Sequence, residues 1–389
     1  MFALRKGRVD AQNQAGGAMK GVFPRQELQE ALSAAASLTS TRSPKPILAC
    51  VKIQAQGDQV ELSATDGEAG LRLTAPAINV DKAGVAVVQA DRLLSIIREL
   101  SDVEVSLTAD DKRLVIRASG SEFRLFTHNA ADFPPVATFD DEPDVVMDGH
   151  ELRRMVGLTL YAAARETGRY AINGVLWEKT DKRLFMIATD GRRLARAGGS
   201  VLESGNADFQ AIIPARALGV FDRVFQPPRD EDWRVELKIL PNQALFRSGG
   251  RVMSTVLVEG HFPPYQDVIP RESTRKARIG REELFAAVKR AALLTTDESR
   301  AVKLAFDKDQ LVITSQAPEQ GDARVEAPIK FDGGAMSIGF NPAFLNDALR
   351  HMTEDEVFIE LQDEIRPGVL CGEDKGAFLY VVMPVQLNN

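Results

Sequence analysis

Apolar positions recur with helical spacing in three stretches of the chain that lie about 125 residues apart. In the first stretch, Leu28, Leu32 and Ala35 fall on one helix face, following the i, i+4, i+7 pattern. A second helical pattern begins about 65 residues into each repeat. Short runs of alternating apolar and polar residues, separated by Gly, Asp and Asn, predict antiparallel strands joined by hairpins. The predicted helices are 25–38, 90–100, 151–164, 214–225, 281–294 and 342–352.

The tetrapeptide Ala-Thr-Asp-Gly occurs twice, at 64–67 and at 188–191, each time after an alternating, strand-like run. Two carboxylates of this kind could serve acid/base chemistry, which leaves an enzyme built on repeated units as one hypothesis. We favour a structural interpretation, in which Asp66 and Asp190 cap turns and the following glycine accepts a positive φ.

These patterns predict an α+β protein made of three tandem copies of one unit, each with two helices and about eight strands. The predicted segments between the copies are 140–144 and 271–277, which are rich in charge. A polar, Gly- and Ala-containing extension precedes the first copy and is expected to be disordered. The predicted divisions are 1–18 for the extension and 19–143, 144–272 and 273–389 for the three domains.

Composition removes several classes of protein. The net charge of −7 argues against a uniformly basic nucleic-acid coat, although positive charge can still be concentrated on one surface. No phosphate-binding glycine loop, zinc-protease motif or nucleophile elbow occurs, and the four histidines lack metal-ligand spacing. We therefore expect no catalytic residues, no metal and no cofactor. Two cysteines in apolar surroundings, with no long apolar run, predict a cytoplasmic protein without a membrane segment.

Five short motifs occur along the chain: Pro-Ile-Leu at 46–48, Asn-Ala-Ala-Asp-Phe-Pro at 129–134, Arg-Tyr-Ala-Ile-Asn-Gly at 169–174, Ala-Thr-Asp-Gly-Arg-Arg-Leu-Ala at 188–195 and Tyr-Val-Val-Met-Pro at 380–384. In this order and spacing they resemble the bacterial DNA sliding clamp family, the β subunit of DNA polymerase III. The resemblance extends from Met19 to Asn389. It implies three domains of the DNA clamp fold and a head-to-tail homodimer that forms a six-domain ring around duplex DNA.

By the same resemblance, the protein is a non-catalytic processivity factor that tethers the polymerase to DNA. A ring that slides must attract phosphates without reading bases, so positive charge is expected on helices that line the hole. Arg42 ranks first because it matches a family position that touches DNA, whereas Asp267 stands in a loop where the family commonly has arginines. The DNA-contact candidates are Arg42, Arg92, Arg98, Arg153, Arg154, Arg216, Arg223 and Lys289.

The resemblance also implies a groove that takes short apolar peptides from the polymerase III α subunit, the clamp loader, other polymerases and repair proteins. Ala171 replaces an aromatic residue that the family often has, which would widen the groove, and Arg192 replaces a frequent His. The tail from Val385 lacks the customary basic residue. The groove residues implied are Tyr170, Ile172, Thr189, Gly191, Arg192, Arg193, Leu194, Pro263, Val268, Pro367, Val381, Val382, Met383 and Pro384.

The contact between two chains is implied in the same way, by apolar residues that face each other across the subunit boundary in the family. The apolar residues are Phe123, Leu125, Leu293 and Leu294, and Arg290 accompanies them. Three other hypotheses stay open at this point: a non-replicative or resistance-type clamp paralogue with altered partners, an enzyme, and a repetitive adhesion or scaffold protein. The departures at Ala171, Asp267 and the tail are the reason to consider the paralogue.

Overall fold

A computed structural model describes residues 18–39, 44–118, 120–166, 171–205, 207–227, 232–295, 301–318 and 320–386. All the predicted helices form, and most end within two residues of the predicted limits. The exceptions are the fifth, which ends at Ala291 rather than at residue 294, and the third, which ends at Leu160 rather than at residue 164. The third helix starts at Gly149, two residues before the predicted limit, and the Asp148 side chain caps this start by accepting a hydrogen bond from the Glu151 N–H. The helices are α1 (Arg25–Ala36), α2 (Ala90–Glu99), α3 (Gly149–Leu160), α4 (Ala215–Val224), α5 (Arg281–Ala291) and α6 (Pro342–His351).

Short 3₁₀ helices and strands fill the intervals between the helices. Within the described ranges each repeat has nine strands, one more than the approximate number predicted. The 3₁₀ helices are Pro46–Ala49, Ala130–Asp132, Tyr265–Val268 and Ala292–Leu294. The first repeat contains β1 (Met19–Pro24), β2 (Cys50–Gln56), β3 (Gln59–Thr65), β4 (Ala69–Pro76), β5 (Asn79–Lys82), β6 (Gly84–Gln89), β7 (Glu104–Ala109), β8 (Arg113–Ala118) and β9 (Ser121–Phe126).

The second and third repeats follow the same order of elements. One expectation was wrong here: the charged stretch 271–277 is not wholly a linker, because Arg275 starts a strand in which Ala277 is buried. The second repeat has β10 (Val145–Asp148), β11 (Gly174–Thr180), β12 (Arg183–Thr189), β13 (Arg193–Ser200), β14 (Glu203–Ser204), β15 (Phe209–Pro214), β16 (Arg234–Ile239), β17 (Gln243–Ser248) and β18 (Arg251–Val256). The third has β19 (Arg275–Gly280), β20 (Val302–Asp307), β21 (Gln310–Ala317), β22 (Gly321–Pro328), β23 (Lys330–Asp332), β24 (Met336–Phe340), β25 (Glu356–Leu361), β26 (Gly368–Cys371) and β27 (Phe378–Val382).

The described residues divide into two compact units. The first comprises the residues up to Pro143 together with Val220–Glu231 and Val235–Val256. It contains an antiparallel sheet in the order β5-β1-β7-β8-β9. It also contains a second series of seven hydrogen-bonded neighbouring strands from one larger sheet, in the order β16-β17-β18-β4-β3-β2-β6. The second series joins two repeats, because β18 pairs antiparallel with β4. Helices α1 and α2 pack against each other in this unit.

The second unit holds the remaining described residues, which come from the second and third repeats. Its larger sheet has nine strands in the order β15-β11-β12-β13-β27-β26-β25-β19-β23, and its smaller sheet has the order β22-β21-β20-β24. The larger sheet also joins two repeats, because β13 pairs antiparallel with β27. This pairing places Arg193 opposite Val382 and Leu194 opposite Val381.

The repeated Asp-Gly turns are structural, as the sequence interpretation held. One carboxylate oxygen of Asp190 accepts hydrogen bonds from the backbone N–H groups of Arg192 and Arg193 at 3.0 and 3.1 Å. Gly191, which directly follows Asp190, has a φ of 85°, a left-handed conformation that glycine adopts without steric cost. Asp66 accepts an equivalent pair of backbone bonds in the first repeat.

The Arg193 guanidinium connects this turn to the third repeat. It bonds the Asp190 carboxylate at 3.0 Å, the Asp347 carboxylate at 2.7 Å and the Tyr161 carbonyl oxygen at 2.7 Å. Its central carbon lies 4.5 Å from the centre of the Phe344 ring, a cation–π distance. Burial by itself would lower the pKa of Arg193, but the Asp347 hydrogen bond and nearby negative charges raise it overall. The group therefore stays charged and fixed.

Removing this guanidinium should destabilise the fold, because two carboxylates would lose their shared cation within a largely buried site. We expect Arg193→Met to lower the free energy of unfolding by about 2–4 kcal/mol. Arg192→Met is the matched control, since this neighbouring side chain is exposed and its loss should change stability by under ~0.5 kcal/mol. Urea unfolding followed by circular dichroism measures both variants. Equal midpoints for the two variants would contradict the prediction.

Candidate functional site

A cleft of about 210 Å³ with a mostly apolar lining opens where β13 pairs with β27. We call it the apolar cleft. Its floor comes from Leu194 and Val381, which are directly opposite in the strand pairing and almost wholly buried. Its rim includes Val268 and Met383, which are 47% and 41% exposed. The cleft is lined by Ile172, Thr189, Gly191, Arg193, Leu194, Pro263, Pro264, Tyr265, Val268, Val381 and Met383.

One part of the cleft lining is held in place by hydrogen bonds, whereas the rim can adjust to a ligand. Thr189 is held by its own turn, since its hydroxyl donates to the Arg193 carbonyl oxygen at 2.6 Å and accepts from the Gly191 N–H at 3.0 Å. Met383 at the rim has a flexible, polarisable side chain that can adjust to the shape of a ligand. A preformed apolar concavity with exposed apolar edges is suited to receiving anchor side chains from a peptide.

Tyr265 and Pro264 line the cleft although the sequence analysis did not select them. Tyr265 is buried, and its hydroxyl donates a hydrogen bond to the Glu178 carboxylate. Burial raises the pKa of this phenol, as does the adjacent carboxylate. The sequence signal was available, because an aromatic residue directly follows the Pro263-Pro264 pair, which fixes the chain direction.

Other residues implied for the groove lie beside the apolar cleft rather than in its lining. Val382 is buried on the opposite face of β27 from Val381, because successive strand residues point to opposite sides. Arg192 is exposed, and its carbonyl oxygen accepts from the Met383 N–H at 3.0 Å. Pro367 and Pro384 are half-buried and do not line the cleft, and Tyr170 falls outside the described residues.

The candidate DNA-contact residues differ in how far they are exposed to solvent. Arg154 is half-buried and bonds the Glu151 carboxylate through two nitrogens at 2.8 Å, so its charge is already compensated. Arg153 beside it is also half-buried, and Arg42 lies outside the described residues. The exposed members are Arg92 and Arg98 on α2, Arg216 and Arg223 on α4, and Lys289 on α5.

The residues implied at the subunit contact lie on exposed edges. Phe123 and Leu125 belong to β9, the last strand of the first unit's five-stranded sheet, and Phe123 is 38% exposed. In the second unit, Leu293 is 77% exposed, Leu294 is half-buried beside it, and Arg290 is exposed at the end of α5. An edge strand with unpaired backbone groups and exposed apolar side chains is a surface that another chain can cover.

The cysteines and acidic residues form no reactive centre in the part of the chain described. Cys50 and Cys371 are buried free thiols, and burial raises the pKa of each to about 11, which keeps them protonated near neutrality. Among the described residues, no group of three or more His, Cys, Asp or Glu side chains could hold a metal ion. None of the helices in the described ranges combines the length and apolar character needed to cross a membrane.

Comparison with known families identifies three successive domains. A DNA polymerase III beta subunit N-terminal domain matches residues 19–137, the central domain matches 146–264 and the C-terminal domain matches 266–386. Curated relatives called beta sliding clamp are similar over the whole chain. The relative from Vibrio cholerae is 30% identical, and the match covers 95% of this chain and 100% of the relative. The relative from Caulobacter vibrioides is 29% identical with the same coverage.

Solved structures give the same answer. A DnaN sliding clamp from Pseudomonas aeruginosa, bound to griselimycin, superposes with a TM-score of 0.89 at 28% identity and covers 95% of this chain and 100% of its own. The sliding clamp from Bacillus subtilis shares the fold, with a TM-score of 0.90 at 22% identity and coverage of 96% and 100%. These matches do not favour the alternative of a paralogue. The chain belongs to the DNA polymerase III beta subunit family, the beta sliding clamps, which are non-catalytic processivity factors.

Proposed function

We propose that this sliding clamp encircles duplex DNA as a head-to-tail homodimer and tethers the replicative polymerase through the apolar cleft. The observation that carries the proposal is the apolar cleft itself, a preformed concavity with exposed Val268 and Met383 at its rim. It lies in a chain that matches all three domains of the family. Neither the dimer nor the DNA complex is needed to form the cleft, because all its lining residues belong to the second unit.

For DNA contact, we assign the leading role to the exposed cations on α2, α4 and α5. Arg216 and Arg223 are seven residues apart on α4, so they share a helix face, and both are exposed. Such side chains attract phosphates of any sequence and leave the protein free to slide. Arg154 should contribute less, since Glu151 compensates its charge. Arg92, Arg98 and Lys289 are the other exposed cations in the leading group. Arg42 and Arg153 remain further candidates for DNA contact.

For partner binding, we propose that anchor residues of short apolar peptides enter the apolar cleft. These peptides are expected to belong to the polymerase III α subunit, the clamp loader, and other polymerases and repair proteins. Several partners can share one site because Leu194 and Val381 present apolar surface rather than directed hydrogen bonds, and Met383 adapts to different shapes. Tyr170 and Arg192 are proposed to complete the rim.

For the ring, we propose that the β9 edge with Phe123 and Leu125 packs against Leu293, Leu294 and Arg290 of a second copy. The support is the exposure of apolar groups at both places. We also propose domain limits at 19–143, 144–272 and 273–389, and a cytoplasmic location. The location is supported by two free, buried thiols, which suit a reducing compartment.

Topological linkage to DNA is the decisive property of a clamp. Loaded by a clamp loader with ATP, the protein should stay on circular DNA at a salt concentration that screens phosphate contacts, and it should leave the same DNA once linearised. Gel filtration of the labelled protein with each DNA measures retention. Equal retention on both would show direct binding and contradict the ring. Equal loss from both would show that loading by this machinery fails, which contradicts the replicative role.

A charge placed in the apolar cleft should weaken partner binding, because the carboxylate must lose water to enter an apolar contact. We expect Val268→Asp with Met383→Asp to lower the affinity for purified polymerase III α subunit about tenfold. Val103→Asp is the control, since Val103 is 83% exposed and outside the cleft. Surface plasmon resonance measures all three proteins. Unchanged affinity of the double variant would remove the cleft from the proposed function.

Charging the 3₁₀ helix Ala292–Leu294, which directly follows α5, should open the ring. Leu293→Asp with Leu294→Asp places two carboxylates where an apolar contact is expected, so the protein should become monomeric. Leu202→Asp is the matched control, because Leu202 is an exposed leucine at another site. Light scattering gives the mass of each protein. An unchanged dimer mass for the double variant would refute the assigned contact.

A further inference from the structure

The residues that precede the first domain begin with an apolar and basic stretch that the proposed function does not use. Residues 1–8 read Met-Phe-Ala-Leu-Arg-Lys-Gly-Arg, so four apolar side chains are followed by three cations and a glycine. We call residues 1–8 the N-terminal segment. It lies outside the described residues, and the matched N-terminal domain of the family begins only at residue 19. Residues 9–17 connect it to that domain and contain a single charge, at Asp10.

The two large apolar side chains Phe2 and Leu4 give the N-terminal segment a pair of anchors. Burying them against an apolar surface is favourable because it removes apolar area from water. They are two residues apart, so in an extended conformation they project to the same side, about 7 Å from each other. An extended N-terminal segment can therefore present both anchors to one surface, with its cations on one side of them.

The apolar cleft provides a surface of the matching kind. Its rim residues Val268 and Met383 leave 47% and 41% of their surface exposed, above a floor of the buried Leu194 and Val381. An apolar cleft between exposed apolar edges is suited to receiving a short segment with two anchors. The N-terminal segment has the anchors that such a cleft requires.

Carboxylates outnumber cations around the apolar cleft. We count the charged side chains that line it, that adjoin a lining residue in sequence or that hydrogen-bond to one. The acids are Asp190, Asp267, Asp347 and Glu178, and the cations are Arg192 and Arg193. Arg196, whose guanidinium lies over the Phe185 ring at the edge of the same apolar cluster, raises the cations to three. The surroundings therefore favour a cationic occupant over an acidic one.

Most of these charges are already engaged with one another. Arg193 bonds the carboxylates of both Asp190 and Asp347. Glu178 accepts a hydrogen bond from the Tyr265 hydroxyl. A ligand in the apolar cleft therefore meets chiefly the charges that remain at its rim.

Two exposed charges of opposite sign remain at the rim. Asp267 directly precedes Val268, and Arg192 directly follows Gly191, which also lines the cleft. Within the described ranges neither of the two forms an ion pair. A segment whose cations all follow its anchors is favoured in one direction, with the cations beside Asp267 and away from Arg192.

We propose that the N-terminal segment occupies the apolar cleft of this protein when no partner is bound, and so competes with the polymerase for it. The proposal rests on the function proposed for the apolar cleft. Phe2 and Leu4 are the anchors, and Arg5 and Lys6 lie on the side of Asp267. A partner must then displace this internal competitor, so peptides with weak anchors are rejected.

A photo-crosslink tests where the N-terminal segment lies. In the full-length protein, p-benzoylphenylalanine replaces Phe2, and irradiation should join it to the tryptic peptide that carries Val268 or to the one that carries Met383. Mass spectrometry identifies the product. Val268→Asp with Met383→Asp should lower the yield of this crosslink about tenfold. The same photoreactive residue in place of Ala15 is the control and should label neither peptide.

Loss of the internal competitor should strengthen partner binding. Phe2→Asp with Leu4→Asp should bind purified polymerase III α subunit about fivefold more tightly than the unaltered protein, because a larger fraction of the clefts is free. Val9→Asp with Ala11→Asp is the matched control, since it adds the same charge and keeps both anchors. It should bind as the unaltered protein does. Surface plasmon resonance measures all three proteins.

Two results would overturn the proposal. One is a set of crosslinks confined to residues outside the apolar cleft, and the other is equal affinity of the two N-terminal double variants for the α subunit. Neither result bears on the proposed function, which depends on whether Val268→Asp with Met383→Asp weakens α-subunit binding. Unchanged binding in that cleft variant would contradict the proposed function, and the crosslink, which needs no partner, would still report where the N-terminal segment lies.

Discussion

The backbone pairing of β13 with β27 is the interaction on which the second unit depends. It joins strands from two repeats into one sheet, and Arg193 at its edge bonds carboxylates from both repeats. The apolar cleft exists because this pairing sets Leu194 beside Val381. Main-chain hydrogen bonds make the position of these side chains insensitive to which partner is bound, so the site is formed before any ligand arrives.

Electrostatics separate the roles of different surfaces. The chain as a whole is acidic, yet exposed arginines and lysines lie on α2, α4 and α5. Glu151 compensates Arg154, and Glu356 compensates Arg278, so the available charge is smaller than a count of basic residues indicates. Negative charge on the rest of the surface disfavours contact with DNA phosphates outside the basic helix faces. This limits unproductive binding to nucleic acid.

The sequence predicted local structure well and long-range pairing poorly. The helices and the Asp66 and Asp190 turns depend on neighbours within a few residues, so periodicity and turn chemistry sufficed. The residues of the β13–β27 pairing are far apart in sequence, and only the family resemblance indicated that they meet. The start of β19 was predicted as linker because its outward residues are charged, although Ala277 between them is buried. Tyr265 was missed because its selection required knowing that the chain folds back over Leu194.

The order of the elements along the chain has a consequence for biosynthesis. A ribosome releases β12 and β13 well before β27, and the pairing that completes the apolar cleft must wait for that later strand. Until then, Leu194 has no Val381 beside it, and Arg193 has no Asp347 to bond. Nascent or prematurely terminated chains therefore cannot compete with finished molecules for the polymerase, since the ability to recruit partners appears only after the last repeat has folded.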